Sequence, residues 1–234
     1  MLRPFERLII ALDLPNRADV VAMARQLRGE VGMVKIGLEA FVAHGPDLVR
    51  EIRDLGLDIF LDLKLHDIPR TAGAAAAQTA RLGVRLLTVH AAGGEEMVRA
   101  VRQEASPDTQ VIAVTVLTSL DDAAVHSLGF PQGTIAFSQR LGEVARQGGA
   151  DGLVCSAHEL AVLATLGGSR VVPGVRPSAG SSTPPGDDQK RVATPTEAVR
   201  AGATWLVVGR PVLQAPNPVD AARAIVAELS RIEV

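Results

Sequence analysis

A chain of 234 residues, 47% hydrophobic with a net charge of only −2, has ample material for a core but neither a basic nucleic-acid footprint nor an acidic tail. No apolar stretch reaches the roughly 18 residues a membrane helix needs, and the start, MLRPFERLIIALDLP, is too charged and too briefly apolar for a secretory signal. With one cysteine, Cys155, there is no internal disulfide or multi-cysteine metal cluster, and a cytoplasmic protein without membrane or nucleic-acid partners is expected.

Apolar, β-rich runs recur eight times. RLIIALDL (7–14) carries Asp13 near its end, GMVKIGL (32–38) carries Lys35, DIFLDLKL (58–65) carries Asp62 and Lys64, and RLLTVHA (85–91) ends near His90. QVIAVTVL (110–117) leads into Thr118 and Ser119, DGLVCSA (151–157) contains Cys155, SRVVPGV (169–175) leads into Arg176, and TWLVVGR (204–210) ends in Gly209 and Arg210. Between the runs, segments such as RADVVAMARQLRG, RTAGAAAAQTARLG, GEEMVRAVRQEA and AFSQRLGEVARQGG have the 3.6-residue apolar spacing of helices. Gly56, Gly83 and Gly202 stand where helices end before the next strand.

Near-continuously apolar strands alternating with helices imply a parallel sheet covered on its faces. Eight such units predict an α/β fold of the (β/α)8 TIM-barrel type, one domain over residues 1–234. A doubly wound open sheet is the alternative, although the first run is not followed by GxGxxG. The Pro-, Gly- and Ser-rich stretch at about 177–191 is expected to be a lid loop. In such a barrel the active site lies at the carboxyl ends of the strands, where the polar residues of these runs concentrate.

The segment DLKLHDIPRT (62–71) is the most informative. Strand period puts Asp62 and Lys64 on one face with Phe60, and Ile59, Leu61, Leu63 and Leu65 on the other. On an edge strand, Asp62, Lys64 and Asp67 would be a surface ion-pair cluster. Inside a closed barrel they suggest a lysine held charged and aimed by carboxylates. Only three of the 24 basic residues are lysines (Lys35, Lys64, Lys190), which favours a specific use for each. Asp13 and Lys35 would extend the row, although singly each fits a structural ion pair as well as a ligand contact. Arg176, Gly209 and Arg210 follow the last two strands, where barrels commonly hold phosphate. Thr118 and Ser119 fit either local caps or a ligand edge. His90 fits an acid, a base or a structural group, and the structural reading is preferred. Cys155 and Trp205 are expected in the core, and the remaining histidines lack the spacing of a metal site.

The motifs IIALDLP, VKIGLEAF, FLDLKLHDIPRTA, VHAAGG, TVLTS, PGVRP and VVGRP resemble, in order and over essentially the whole chain, those of the bacterial orotidine 5'-phosphate decarboxylases. That resemblance implies cofactor-free and metal-free conversion of orotidine 5'-phosphate to UMP and carbon dioxide in pyrimidine synthesis. It implies that Lys64 protonates C6 of the pyrimidine, that Asp62 lies by the substrate carboxylate, and that Lys35 and Asp13 bind the ribose hydroxyls in a Lys–Asp–Lys–Asp network. Asp67 is implied to reach into the neighbouring site of a homodimer, and Ile68 and Thr71 join the substrate contacts. Thr118 and Ser119 meet the pyrimidine, while Arg176, Gln189, Gly209 and Arg210 meet the phosphate. Two rivals stand beside this reading. One is a metal-dependent sugar-phosphate decarboxylase or synthase of the same superfamily, which would place a glutamate where Lys35 stands. The other is a noncatalytic phosphoribosyl-ligand sensor, which has no need of a proton donor such as Lys64.

Overall fold

Eight short parallel strands close into a barrel in sequence order, β1 (Leu8–Ala11), β2 (Met33–Gly37), β3 (Asp58–Leu65), β4 (Leu86–His90), β5 (Gln110–Val114), β6 (Gly152–Val154), β7 (Ser169–Val172) and β8 (Trp205–Val208). The computed structural model describes residues 2–177 and 193–232. Helices follow the strands: α1 (Arg17–Leu27), α2 (Leu38–Asp54), α3 (Pro69–Ala80), α4 (Glu95–Glu104), α5 (Asp122–Ser127), α6 (Gly133–Gln147), α7 (Leu160–Leu163), α8 (Pro195–Arg200), α9 (Arg210–Leu213) and α10 (Pro218–Leu229). Closure by the β1–β8 pairing makes this the expected barrel rather than an open doubly wound sheet.

The continuous apolar runs serve two cores at once. Ile10, Val34, Ile59, Leu61, Leu87 and Val89 face outward and pack under the helices. Their alternates Ile9, Met33, Phe60, Leu86, Ile112, Val171, Trp205 and Val207 fill the barrel interior. A strand buried on both faces has no position for a polar residue except where the interior opens, which explains the unbroken hydrophobicity. Trp205 thus packs in the floor, as expected.

Several strands are shorter than their apolar runs. β5 stops at Val114, and β6 has only three residues, so Cys155 lies just beyond it, buried. Backbone bonding between neighbours runs a residue further, with the Thr115 N–H donating to Val154 O at 3.2 Å and the Cys155 N–H to Val171 O at 3.1 Å. Gly56, Gly83 and Gly202 have φ of 83°, 63° and 105°, the left-handed conformation that glycine adopts without Cβ strain as a helix ends. α2 is broken at Gly45 (φ 65°), next to Pro46, whose ring cannot continue the hydrogen-bond ladder. Among the described residues no helix is long and apolar enough to cross a membrane.

Candidate active site

Continuing each interior face toward the carboxyl ends changes its chemistry within two residues. Met33 gives way to Lys35, Phe60 to Asp62 and then Lys64, and Ala11 to Asp13. All four charged side chains line one cavity of about 560 Å³, with Thr118 and Ser119, Arg176, Gly209 and Arg210 on the walls that complete it. Val114, Val116, Val154, Val171 and Val207 supply the apolar part of that lining. The size suits a small-molecule ligand, and the few convergent polar groups suit one held in a fixed orientation.

The charges form a connected row. Lys35 Nζ donates to Asp13 Oδ1 at 3.0 Å and lies 3.7 Å from Asp62 Oδ2. Lys64 Nζ donates to the same Asp62 oxygen at 2.8 Å. Asp62 is buried, with 8% of its surface exposed, and receives a third contact from the hydroxyl of Thr88, which donates to Oδ1 at 2.9 Å. Burial by itself pushes the Asp62 carboxyl up. The ammonium groups of Lys35 and Lys64, with the hydrogen bonds from Lys64 and Thr88, outweigh that and hold it below the ordinary carboxylate range. Asp62 is therefore a fixed anion at neutral pH, and two cations depend on it.

Lys64 reaches this position through an unusual backbone. Phe60 pairs with Leu86 and Leu61 with Leu87, but the next registered pair is Leu65 with Val89, so β3 gains residues that β4 does not match. Within this bulge Lys64 has φ 50°, the sole non-glycine with positive φ among the described residues. Such a conformation costs an L-residue about 1–2 kcal/mol. The Lys64 N–H donates to Thr88 Oγ1 at 2.8 Å, so a threonine side chain takes up an amide the bulge removes from the regular ladder. Strict alternation correctly places Asp62 and Lys64 on one face, yet it does not foresee this kink. Thr88 itself escaped notice in the sequence. The available signal was the period of two in LLTVH, which puts Thr88 on the interior face two residues past Leu86.

Close approach also explains one glycine. A Cβ on Gly37 would stand 2.8 Å from Lys35 Nζ and 3.1 Å from Asp13 Oδ1, so any side chain there displaces the Lys35–Asp13 pair. Its φ of −87° imposes no such requirement; the need is for space.

Not every expected residue joins the cavity. Asp67 is exposed, its Oδ1 accepts from the Ile68 N–H at 2.7 Å, and it lies outside the lining that contains Lys64. Within its own chain Asp67 therefore does not flank Lys64, and the expectation that it serves a neighbouring site concerns a second copy. The reason is geometric: the strand ends at Leu65, and the chain turns away through Ile68 and Pro69 into α3. Ile68, 62% exposed, and Thr71 at the start of α3 likewise lie outside the lining of this cavity. His90 sits at the end of β4 against His66, with ring centroids 5.3 Å apart. Burial, then His66 and Lys64, lower its pKa against the opposing pull of Asp62, so it is neutral at pH 7. Gln189 lies outside the described residues, as does most of the expected lid.

Residues 6–225 match the family model described as "Orotidine 5'-phosphate decarboxylase / HUMPS family". The chain is 52% identical to the orotidine 5'-phosphate decarboxylase of Anaeromyxobacter dehalogenans over 97% of its own length and 100% of the relative's. It is 46% identical to that of Opitutus terrae, over 95% of this chain and 97% of the relative. The crystal structure of the enzyme from Lactobacillus acidophilus matches with a TM-score of 0.82 at 32% identity, covering 95% of this chain and 98% of that one.

Proposed function

The chain belongs to the orotidine 5'-phosphate decarboxylase family, and from that premise we propose that it converts orotidine 5'-phosphate to UMP and carbon dioxide in pyrimidine synthesis, with Lys64 as the proton donor. The observation that carries the reading is the Lys64 ammonium fixed 2.8 Å from a buried carboxylate in the wall of a nucleotide-sized cavity. Loss of carbon dioxide breaks the bond from C6 to the carboxylate carbon and leaves the electron pair on C6, where no π-system accepts it. An ammonium already aimed at that atom stabilises the charge as it grows and then transfers its proton to C6. Lys64 is reprotonated from solvent. No cofactor enters the scheme.

Asp62 has two tasks in this reading. It holds Lys64 and Lys35 in place, and it stays anionic beside the substrate carboxylate, so contact improves when that group departs. Lys35 and Asp13 take the ribose hydroxyls, Thr118 and Ser119 the pyrimidine edge, and Arg176, Gly209 and Arg210 the phosphate, with Gln189 closing over it. Lys35 also weighs against a magnesium-dependent sugar-phosphate reaction, since an ammonium between Asp13 and Asp62 occupies and repels the place of a divalent ion. A noncatalytic sensor would leave the fixed Lys64–Asp62 pair without a purpose.

Asp67, Ile68 and Thr71 act, in the same reading, on the site of a second copy. Support comes from the exposed apolar side chains Leu38, Val42 and Ile68 (56%, 77% and 62% exposed) that follow β2 and β3. They would be covered in a two-fold homodimer that exchanges Asp67 both ways. The protein is proposed to work in the cytoplasm as that dimer.

One experiment tests both donor and dimer. Lys64→Ala and Asp67→Ala homodimers should each lose nearly all decarboxylation, followed by the fall in orotidine 5'-phosphate absorbance, while still binding UMP. Refolded together, half of the dimers are hybrids carrying one doubly impaired and one intact site, so up to about a quarter of parental activity should return. Near-normal turnover by Lys64→Ala sinks the donor assignment. Hybrids verified by mass that recover nothing place Asp67 in its own subunit.

A further inference from the structure

We propose that Thr88 is a positioning residue for the decarboxylation, holding the Lys64 backbone and the Asp62 carboxylate in one rigid unit through a single hydroxyl. This rests on Lys64 being the proton donor. Thr88 is fully buried on the interior face of β4, and it touches the reacting groups only through its neighbours. Its oxygen accepts from the Lys64 N–H at 2.8 Å, and its proton goes to Asp62 Oδ1 at 2.9 Å. Lys64 Nζ in turn donates to the other oxygen of Asp62 at 2.8 Å. The result is a closed circuit: Thr88 to Asp62, Asp62 to the Lys64 side chain, and the Lys64 amide back to Thr88.

Each member of the circuit needs the others. The bulge in β3 puts Lys64 at φ 50°, a conformation the surrounding structure must impose on a lysine. The Thr88 hydroxyl imposes it by satisfying the amide that the bulge exposes. The same hydroxyl fixes the rotation of the Asp62 carboxylate, so that one oxygen faces Thr88 and the other faces both lysines. A hydroxyl can do both because it donates and accepts at once; alanine and valine do neither. Misplacing an ammonium by a fraction of an ångström costs turnover far more than it costs nucleotide affinity, since the ribose and phosphate contacts lie elsewhere.

The test compares Thr88→Val, isosteric but without the hydroxyl, with Thr88→Ser, which keeps it. Thr88→Val should lower kcat about 10- to 100-fold, change KM and UMP affinity less than about threefold, and move the acidic limb of kcat/KM upward as Asp62 loses a stabilising donor. Thr88→Ser should restore kcat and the limb. Parental kcat in Thr88→Val, or an equal loss in Thr88→Ser, overturns the proposal. If Thr88→Val no longer binds UMP, Thr88→Ala carries the same comparison with Thr88→Ser and the same criteria. Lys64→Ala is measured alongside: activity in that variant refutes the donor assignment, whereas an inactive Lys64→Ala with a parental Thr88→Val refutes only the role of Thr88.

Discussion

The floor of the barrel and its mouth lie two residues apart on the same strands, and they are built from opposite chemistry. Met33, Phe60 and Leu86 interlock in the floor; one step up each interior face stand Lys35, Asp62 and Thr88. The floor gains its stability from burial and close packing, which specify shape without specifying direction. The mouth gains direction from hydrogen bonds and ion pairs, and these are strong because the floor beneath excludes water. Removing one partner from the mouth leaves a buried charge uncompensated, while removing one methyl group from the floor leaves only a cavity. The difference predicts that function and stability respond to different residues.

The largest effect is expected at the Arg210 side of the mouth, where the phosphate is proposed to bind. Arg210→Ala should reduce kcat/KM for orotidine 5'-phosphate about 10³-fold, worth roughly 4 kcal/mol, yet hardly alter the slow reaction of the bare nucleoside. Binding energy at a remote phosphate contributes to the barrier only when the phosphate is present. Steady-state kinetics on the two substrates decide it, and an equal loss on both would mean that Arg210 acts on something else.

The floor should behave in the converse manner. Ile112→Ala, below the cavity lining, should destabilise the fold by roughly 2–5 kcal/mol in denaturant titrations while kcat at 25 °C remains within about twofold of the parent. A large fall in kcat with little change in stability would show that the two layers are not separable.

The smallest effect concerns His90, at the boundary between the layers. Its pKa is lowered, chiefly by burial, so the unfolded chain takes up a proton first as pH drops below about 6.5. This contribution to stability is therefore present at pH 7 and above and is lost progressively as pH falls toward and through the lowered pKa. Thermal unfolding at pH 7.5 and pH 5.5 should show a smaller pH-dependent loss in His90→Gln than in the parent. An unchanged loss would mean that His90 is as readily protonated in the folded protein as in the unfolded one.

The boundary also shows how far residue patterns carried. Met33–Lys35 and Phe60–Asp62–Lys64 were legible because a strand repeats every two residues, and a barrel gives that repeat only one interior. Arg176, Gly209 and Arg210 were legible for a related reason, since loops after the last strands meet at one side of the mouth. Asp67 marks where that repeat stops: β3 ends two residues earlier, so spacing alone does not place its carboxylate, and its assignment to a neighbouring site comes from the family resemblance.

By itself the sequence determined the alternation of apolar strands with helices, the parallel α/β class with a barrel preferred to an open sheet, and the strands that bear charge. All of these are encoded in local periodicity and in the matching of buried faces. The tertiary structure decided what periodicity cannot express. It brought Lys35 and Lys64 to the same oxygen of the Asp62 carboxylate, left Asp67 outside its own cavity, required the missing side chain at Gly37, and set Thr88 against a lysine held at positive φ in a strand bulge. Those outcomes depend on register between strands and on contacts over a few ångströms, which are fixed only when the barrel closes.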